Sequence, residues 1–138
     1  MSVNYKVTRV RNPKGIENVE YFAARVAKTN DYDFEQLATD INNSTTVTRA
    51  DALAVLNACQ PFIEKALLNG QAVVLAGLGR FQISIQGKCY PAETMQSDEF
   101  MPSSMIKGHK ILFRAEPKLK KSIKTNISYK RIAGEHDA

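Results

Sequence analysis

The run from Leu53 to Ile85, LAVLNACQPFIEKALLNGQAVVLAGLGRFQISI, leaves few folds open. A helix-period segment ends at Asn69-Gly70, where glycine can take the left-handed conformation that closes a helix. A short apolar strand, Gln71 to Ala76, follows. Gly77-Leu78-Gly79 then turns the chain into a second strand, Arg80 to Ile85. Phe81, Ile83 and Ile85 alternate there with Gln82, Ser84 and Gln86, so one face is expected to be buried and the other wet. A glycine pair between two strands is a tight hairpin or bulge with positive φ at its glycines. A dinucleotide fingerprint needs a strand, glycines and then a helix.

Upstream, Asp33 is placed to cap a helix carrying Phe34, Leu37, Ala38 and Ile41 on one face, with Asn42-Asn43-Ser44 ending it. Thr48, with Asp51 three residues on, is a shortened capping box for a helix from Arg49 to Asn69. Leu53, Leu56, Ile63 and Leu67 form its stripe, widened by Ala52, Val55, Cys59, Phe62 and Ala66. So wide a stripe faces more than one neighbour, as dimer packing would require. Pro61 lies inside this pattern. It removes a backbone donor at a cost of about 3 kcal/mol, so a kink is expected.

The outer segments read as β-rich. Residues 3–11 alternate as a half-buried strand, and Asn12-Pro13-Lys14-Gly15 marks a turn. Residues 18–28 suit helix or strand, and the β-rich start favours strand. Residues 87–104 read as a long loop or arm, His109 to Arg114 as a strand, and Glu116 to Lys124 as a short helix with Pro117 in its first turn. Asn126 to Ile132 reads as a last strand, and residues 133–138 are expected to fray. The extra terminal strands are expected to enlarge the central sheet.

Two features carry a family resemblance. The order helix, Asn69-Gly70, Val73-Val74-Leu75-Ala76-Gly77-Leu78-Gly79-Arg80-Phe81-Gln82-Ile83 is similar to the helix, hairpin and aromatic strand of bacterial histone-like HU/IHF proteins. Phe113-Arg114-Ala115-Glu116-Pro117-Lys118-Leu119-Lys120-Lys121 is similar to that family's closing strand and proline-started basic helix. The resemblance runs from about Phe34 to Lys124. The separation of Phe81 and Phe113, 32 residues, is close to the family's DNA-embracing arm. The chain looks most like an extended HU-related group with added terminal strands.

The resemblance implies an α+β fold: a core of two N-terminal helices, a β-sheet with an arm-like insertion and a short C-terminal helix. The implied division is residues 1–30 as an N-terminal β extension, 31–125 as the HU-like core and 126–138 as a C-terminal strand and tail. It implies a homodimeric, bacterial, nucleoid-associated protein that binds double-stranded DNA largely without regard to sequence.

Charge sharpens the expectation. Residues 1–30 carry six basic and two acidic side chains, and residues 105–132 carry nine and one. Residues 31–104 carry four basic against nine acidic. Cations gathered at both ends suit a polyanion, the alternative being a solvated lysine face without a ligand. The expected contacts are Arg80, Lys88, Lys107, Lys110, Arg114, Lys118, Lys120, Lys121 and Lys124.

The arm region departs from the family. Lys88 to Lys110 holds three lysines against Glu93, Asp98 and Glu99, and no Arg-Asn-Pro tip. Arg11-Asn12-Pro13 lies outside it, so no wedge role is carried onto it. Phe100-Met101-Pro102 offers an apolar wedge in principle, but Pro102 reads first as a turn proline. The neutral arm supports a second reading, a non-catalytic structural or protein-interaction module on an HU scaffold.

Other classes find little support. No apolar run reaches the roughly 20 residues of a membrane span, and the first residues do not read as a signal peptide, so a cytoplasmic location is expected. Cys59 and Cys89 lack metal-ligand spacing and read as a buried thiol and an incidental one. His109 and His136 have no paired carboxylate or nucleophile pattern. Neither enzyme, cofactor nor small-molecule substrate is expected.

Overall fold

The computed structural model describes residues 1–15, 17 and 19–133. Asn18, Gly134–Ala138 and with them His136 lie outside the described residues, so the start of the 18–28 strand and the fraying of the tail are not addressed by it. The fold is α+β, with four helices and two three-stranded sheets among the described residues. The chain divides into a central unit, Asp33–Lys120, and a terminal unit, Met1–Tyr32 with Lys121–Ala138.

In the central unit, α1 spans Phe34–Ser44 and α2 spans Arg49–Leu68. Both start where their caps stand. The Asp33 carboxylate accepts from the Gln36 N–H at 3.0 Å, and Thr48 Oγ1 accepts from the Asp51 N–H at 3.1 Å. Each satisfies one of the backbone donors a helix start leaves free. Arg49 ties the two helices together: its Nε donates to Thr39 Oγ1 at 3.1 Å and its guanidinium pairs with Glu35. Pro61 does not divide α2, which continues as one helix to Leu68. It closes on Gly70, whose φ is 76°. The Gly70 N–H donates to the Leu67 carbonyl at 2.9 Å and the Gln71 N–H to that of Ala66 at 3.0 Å, the two bonds of a Schellman cap.

Strands β3 (Val73–Leu75), β4 (Gly79–Gly87) and β5 (Ile106–Ala115) form an antiparallel sheet in the order β3-β4-β5. The two glycines of the β3–β4 turn do different work. Gly77 has φ 82°. Gly79 has no positive φ, contrary to the expectation for both. Its need is space, because a Cβ there would lie 2.5 Å from the Arg114 carbonyl oxygen and 2.6 Å from Phe113 Cζ. Gly79→Ala is therefore expected to cost roughly 1–3 kcal/mol through overpacking against backbone, read as a lower midpoint in urea unfolding.

The helix α4 (Pro117–Asn126) runs across the division between the units. Its start is bound to the β3–β4 turn: the Glu116 N–H donates to the Leu78 carbonyl at 3.0 Å, and the Glu116 carboxylate accepts from the Gly77 N–H. The segment between β4 and β5 is not bare loop. It contains a short helix α3, Ala92–Met95, and a 3-10 turn, Pro102–Met105.

In the terminal unit, β1 (Val3–Val10) pairs antiparallel with β2 (Tyr21–Val26) and parallel with β6 (Tyr129–Arg131). These strands do not enlarge the central sheet, contrary to the expectation from the sequence. They build a sheet of their own, β2-β1-β6. β1 finds β2 a short connection away, at low loop-closure cost, and takes β6 on its other edge from the far end of the chain.

The expectation of closed apolar faces also fails. Among the described residues, only the alanines Ala27, Ala38 and Ala52 are buried hydrophobics, and no large side chain is fully enclosed. Ile85, Ile111 and Phe113, on the apolar face of β4 and β5, are 66%, 61% and 53% exposed. Cys59 is exposed rather than buried.

Candidate nucleic-acid interface

The pleat of the central sheet sorts its side chains into two faces. Residues directly opposite across a ladder share a face. Arg80 lies opposite Arg114, Gln82 opposite Leu112, and Ser84 opposite Lys110. Arg80, Lys110 and Arg114 thus stand on one face, all exposed. Phe81 opposite Phe113, Ile83 opposite Ile111 and Ile85 opposite His109 make the other face. Phe81 and Phe113 pack with ring centroids 4.8 Å apart.

The apolar face looks onto α2 across a groove of about 700 Å³. Leu56, Ile63 and Leu67 form one wall; Phe81, Ile83 and Ile111 form the other. The helix stripe and the strand face were both legible in the sequence. That they diverge and leave an opening was not. His109 stands in the sheet wall and Cys59 in the helix wall. Among the described residues, no group of three His, Cys, Asp or Glu is placed to hold a metal ion.

The remaining expected contacts fall elsewhere. Lys118, Lys120, Lys121 and Lys124 lie on α4. At 100° per residue, Lys121 and Lys124 share the side of it away from Leu119 and Ile123, and Lys120 lies between the two sides. Lys88 follows β4 and Lys107 lies near the start of β5, where a bulge at Gln86/Gly87 interrupts the pairing. The structure therefore brings Arg80, Lys110 and Arg114 together, and lines the other lysines along α4 and the insertion. Phe100 is not a free wedge: its ring lies 5.3 Å from that of Tyr90, within the insertion. Glu116 was not singled out in the sequence, although an acid directly before a helix-starting proline is a capping signal.

The geometry sits beside a clear family relationship. A family model described as HU-HIG, an HU domain fused to wHTH, Ig or glycine-rich motif, matches residues 1–131, and the chain belongs to this HU-related family. A crystal structure from Bacteroides vulgatus ATCC 8482, of a protein whose description proposes bacterial DNA binding, is similar over 95% of this chain at 14% identity and TM-score 0.59. The similarity covers 48% of that chain, so the present chain spans about half its length. An Anabaena HU–DNA cocrystal structure aligns with 67% of this chain and 97% of its own, at 21% identity and TM-score 0.48. Comparison with curated proteins gives no match.

Proposed function

We propose that this chain is an HU-related DNA-binding protein that acts as a homodimer and holds duplex DNA architecturally, largely without regard to sequence. The observation that carries this reading is the two-sided central sheet. One face is apolar and open, and the other sets Arg80 directly against Arg114. Like charges directly opposite destabilise a strand pair. An anion laid on that face would turn the cost into attraction. The open apolar face suits a second copy, because α2 and the sheet bury no large side chain within one chain.

The DNA contacts proposed are Arg80, Lys110 and Arg114 on the sheet, Lys118, Lys120, Lys121 and Lys124 on α4, and Lys88 and Lys107 at the insertion. In a dimer each appears twice. Phosphate contacts act through counterion release, and selectivity would come from duplex deformability rather than base reading. A nucleoid location accords with this, and no helix among the described residues is long and apolar enough to cross a membrane.

A second reading, a protein-interaction module on the same scaffold, is favoured by one observation. The segment between β4 and β5 turns in helical pieces instead of projecting as a basic ribbon. An electrophoretic shift with random-sequence duplex across a salt series separates the two. DNA binding predicts a shift at low salt, with log affinity falling linearly in log salt at a slope of about −5 or steeper for six or more phosphates. No shift at low salt would favour the interaction module.

A further inference from the structure

The charge of the chain is divided unevenly between its two units. The central unit holds nine basic and nine acidic side chains; the terminal unit holds ten basic and five acidic. The formal excess of +5 belongs entirely to the terminal unit. The central unit by itself has no net charge with which to attract a polyanion.

The register of the terminal sheet sets three of those cations together. Lys6 and Arg25 are direct cross-strand partners. Lys130 lies opposite Asn4, two residues before Lys6 and therefore on the same face. Arg25, Lys6 and Lys130 make a diagonal row across all three strands, and all three are exposed. Their companions on this face are Asn4, Thr8, Val10, Tyr21 and Ala23, with no acid among them. Among the described residues, none of the three cations makes an ion pair. The pair formed by Arg9 and Glu20, at 2.7 Å, belongs to the opposite face, since Arg9 is out of phase with Lys6.

Lys6 against Arg25 is a like-charge cross-strand pair, a placement that weakens a sheet on its own. The small Thr8 and Ala23 beside it leave the long stems free to rise from the sheet. We infer that this face of the β2-β1-β6 sheet is a second duplex-DNA contact, holding backbone phosphates through Lys6, Arg25 and Lys130. The inference rests on the DNA-binding reading above and extends it to the β2-β1-β6 sheet. Contacts of this kind position a duplex without reading bases. They also supply the attraction that the charge-balanced central unit lacks.

The test uses the full chain and fluorescence anisotropy with a random-sequence duplex across a salt series. The variant carrying Lys6→Glu, Arg25→Glu and Lys130→Glu is expected to bind roughly 10- to 100-fold more weakly at about 0.1 M salt, with a salt slope smaller by about 2–3 for each chain bound. The charge-preserving set Lys6→Arg, Arg25→Lys and Lys130→Arg is expected to keep both affinity and slope. If the reversed set fails to fold, judged by circular dichroism, glutamine at the three positions should give the same drop in slope. A folded, charge-removed variant with unchanged affinity and slope would overturn the inference while leaving DNA binding standing. Loss of binding to phosphatidylserine vesicles with duplex binding intact would overturn it likewise. Failure of the unaltered chain to bind duplex would instead overturn the reading on which it rests, and the inference with it.

Discussion

Ile111→Asp should convert the protein to monomers at micromolar concentration. In a single chain Ile111 is 61% exposed, so aspartate there would be nearly neutral if the chain worked alone. In a dimer closed over the groove, the carboxylate would enter an apolar wall beside Phe81, Ile83 and Leu67. An uncompensated buried charge costs roughly 3–5 kcal/mol. Two-fold symmetry presents the change twice. The dissociation constant should therefore rise on the order of 10⁴-fold or more. Sedimentation velocity reads this directly. Equal masses for the variant and the unaltered chain would show that the groove is not the contact between copies.

The second large effect belongs to α4. Reversal of Lys118, Lys120 and Lys121 to glutamate should weaken duplex binding about 100-fold or more at about 0.1 M salt, and reduce the salt slope by about 3 for each chain bound. These side chains project from a helix whose start is held by Glu116 and not by the lysines, so the fold should survive. Circular dichroism would confirm that. Binding that survives the change intact would place the duplex away from α4.

Much of the scaffold was legible because local chemistry determines it. Asp33 and Thr48 mark helix starts, since a side-chain acceptor satisfies a donor that nothing else reaches. Gly70 marks a helix end, because a left-handed residue is needed there. The alternation of Phe81, Ile83 and Ile85 reads as one face of a strand, and the ladder puts Phe113, Ile111 and His109 opposite them.

What was not legible depends on partners far away in sequence. Alternation says that a face is apolar; it does not say that the same chain covers it. Hence Cys59 and Ile83, each expected to be buried, stand in an open groove. The terminal strands were expected in the central sheet because strand patterns carry no pairing information. Their sheet is specified by the parallel register of Val3 with Tyr129 and Tyr5 with Arg131, across nearly the whole chain. The same register brings Lys130 beside Lys6, which residue spacing alone does not suggest. Gly79 shows the limit at one residue. A glycine after a turn implies free φ, but here the requirement is the nearness of the Arg114 carbonyl, 35 residues away in sequence.

Two copies are expected to close their apolar faces and hold one duplex by phosphate contacts. Sedimentation equilibrium of the chain with a random-sequence duplex, at low and at high salt, tests it most directly. At low salt the account predicts one duplex plus twice the 15.4 kDa chain mass. At high salt it predicts free duplex and a protein dimer that persists, because apolar contacts survive where phosphate contacts are screened. A monomer of 15.4 kDa beside free duplex at both salt concentrations would contradict it.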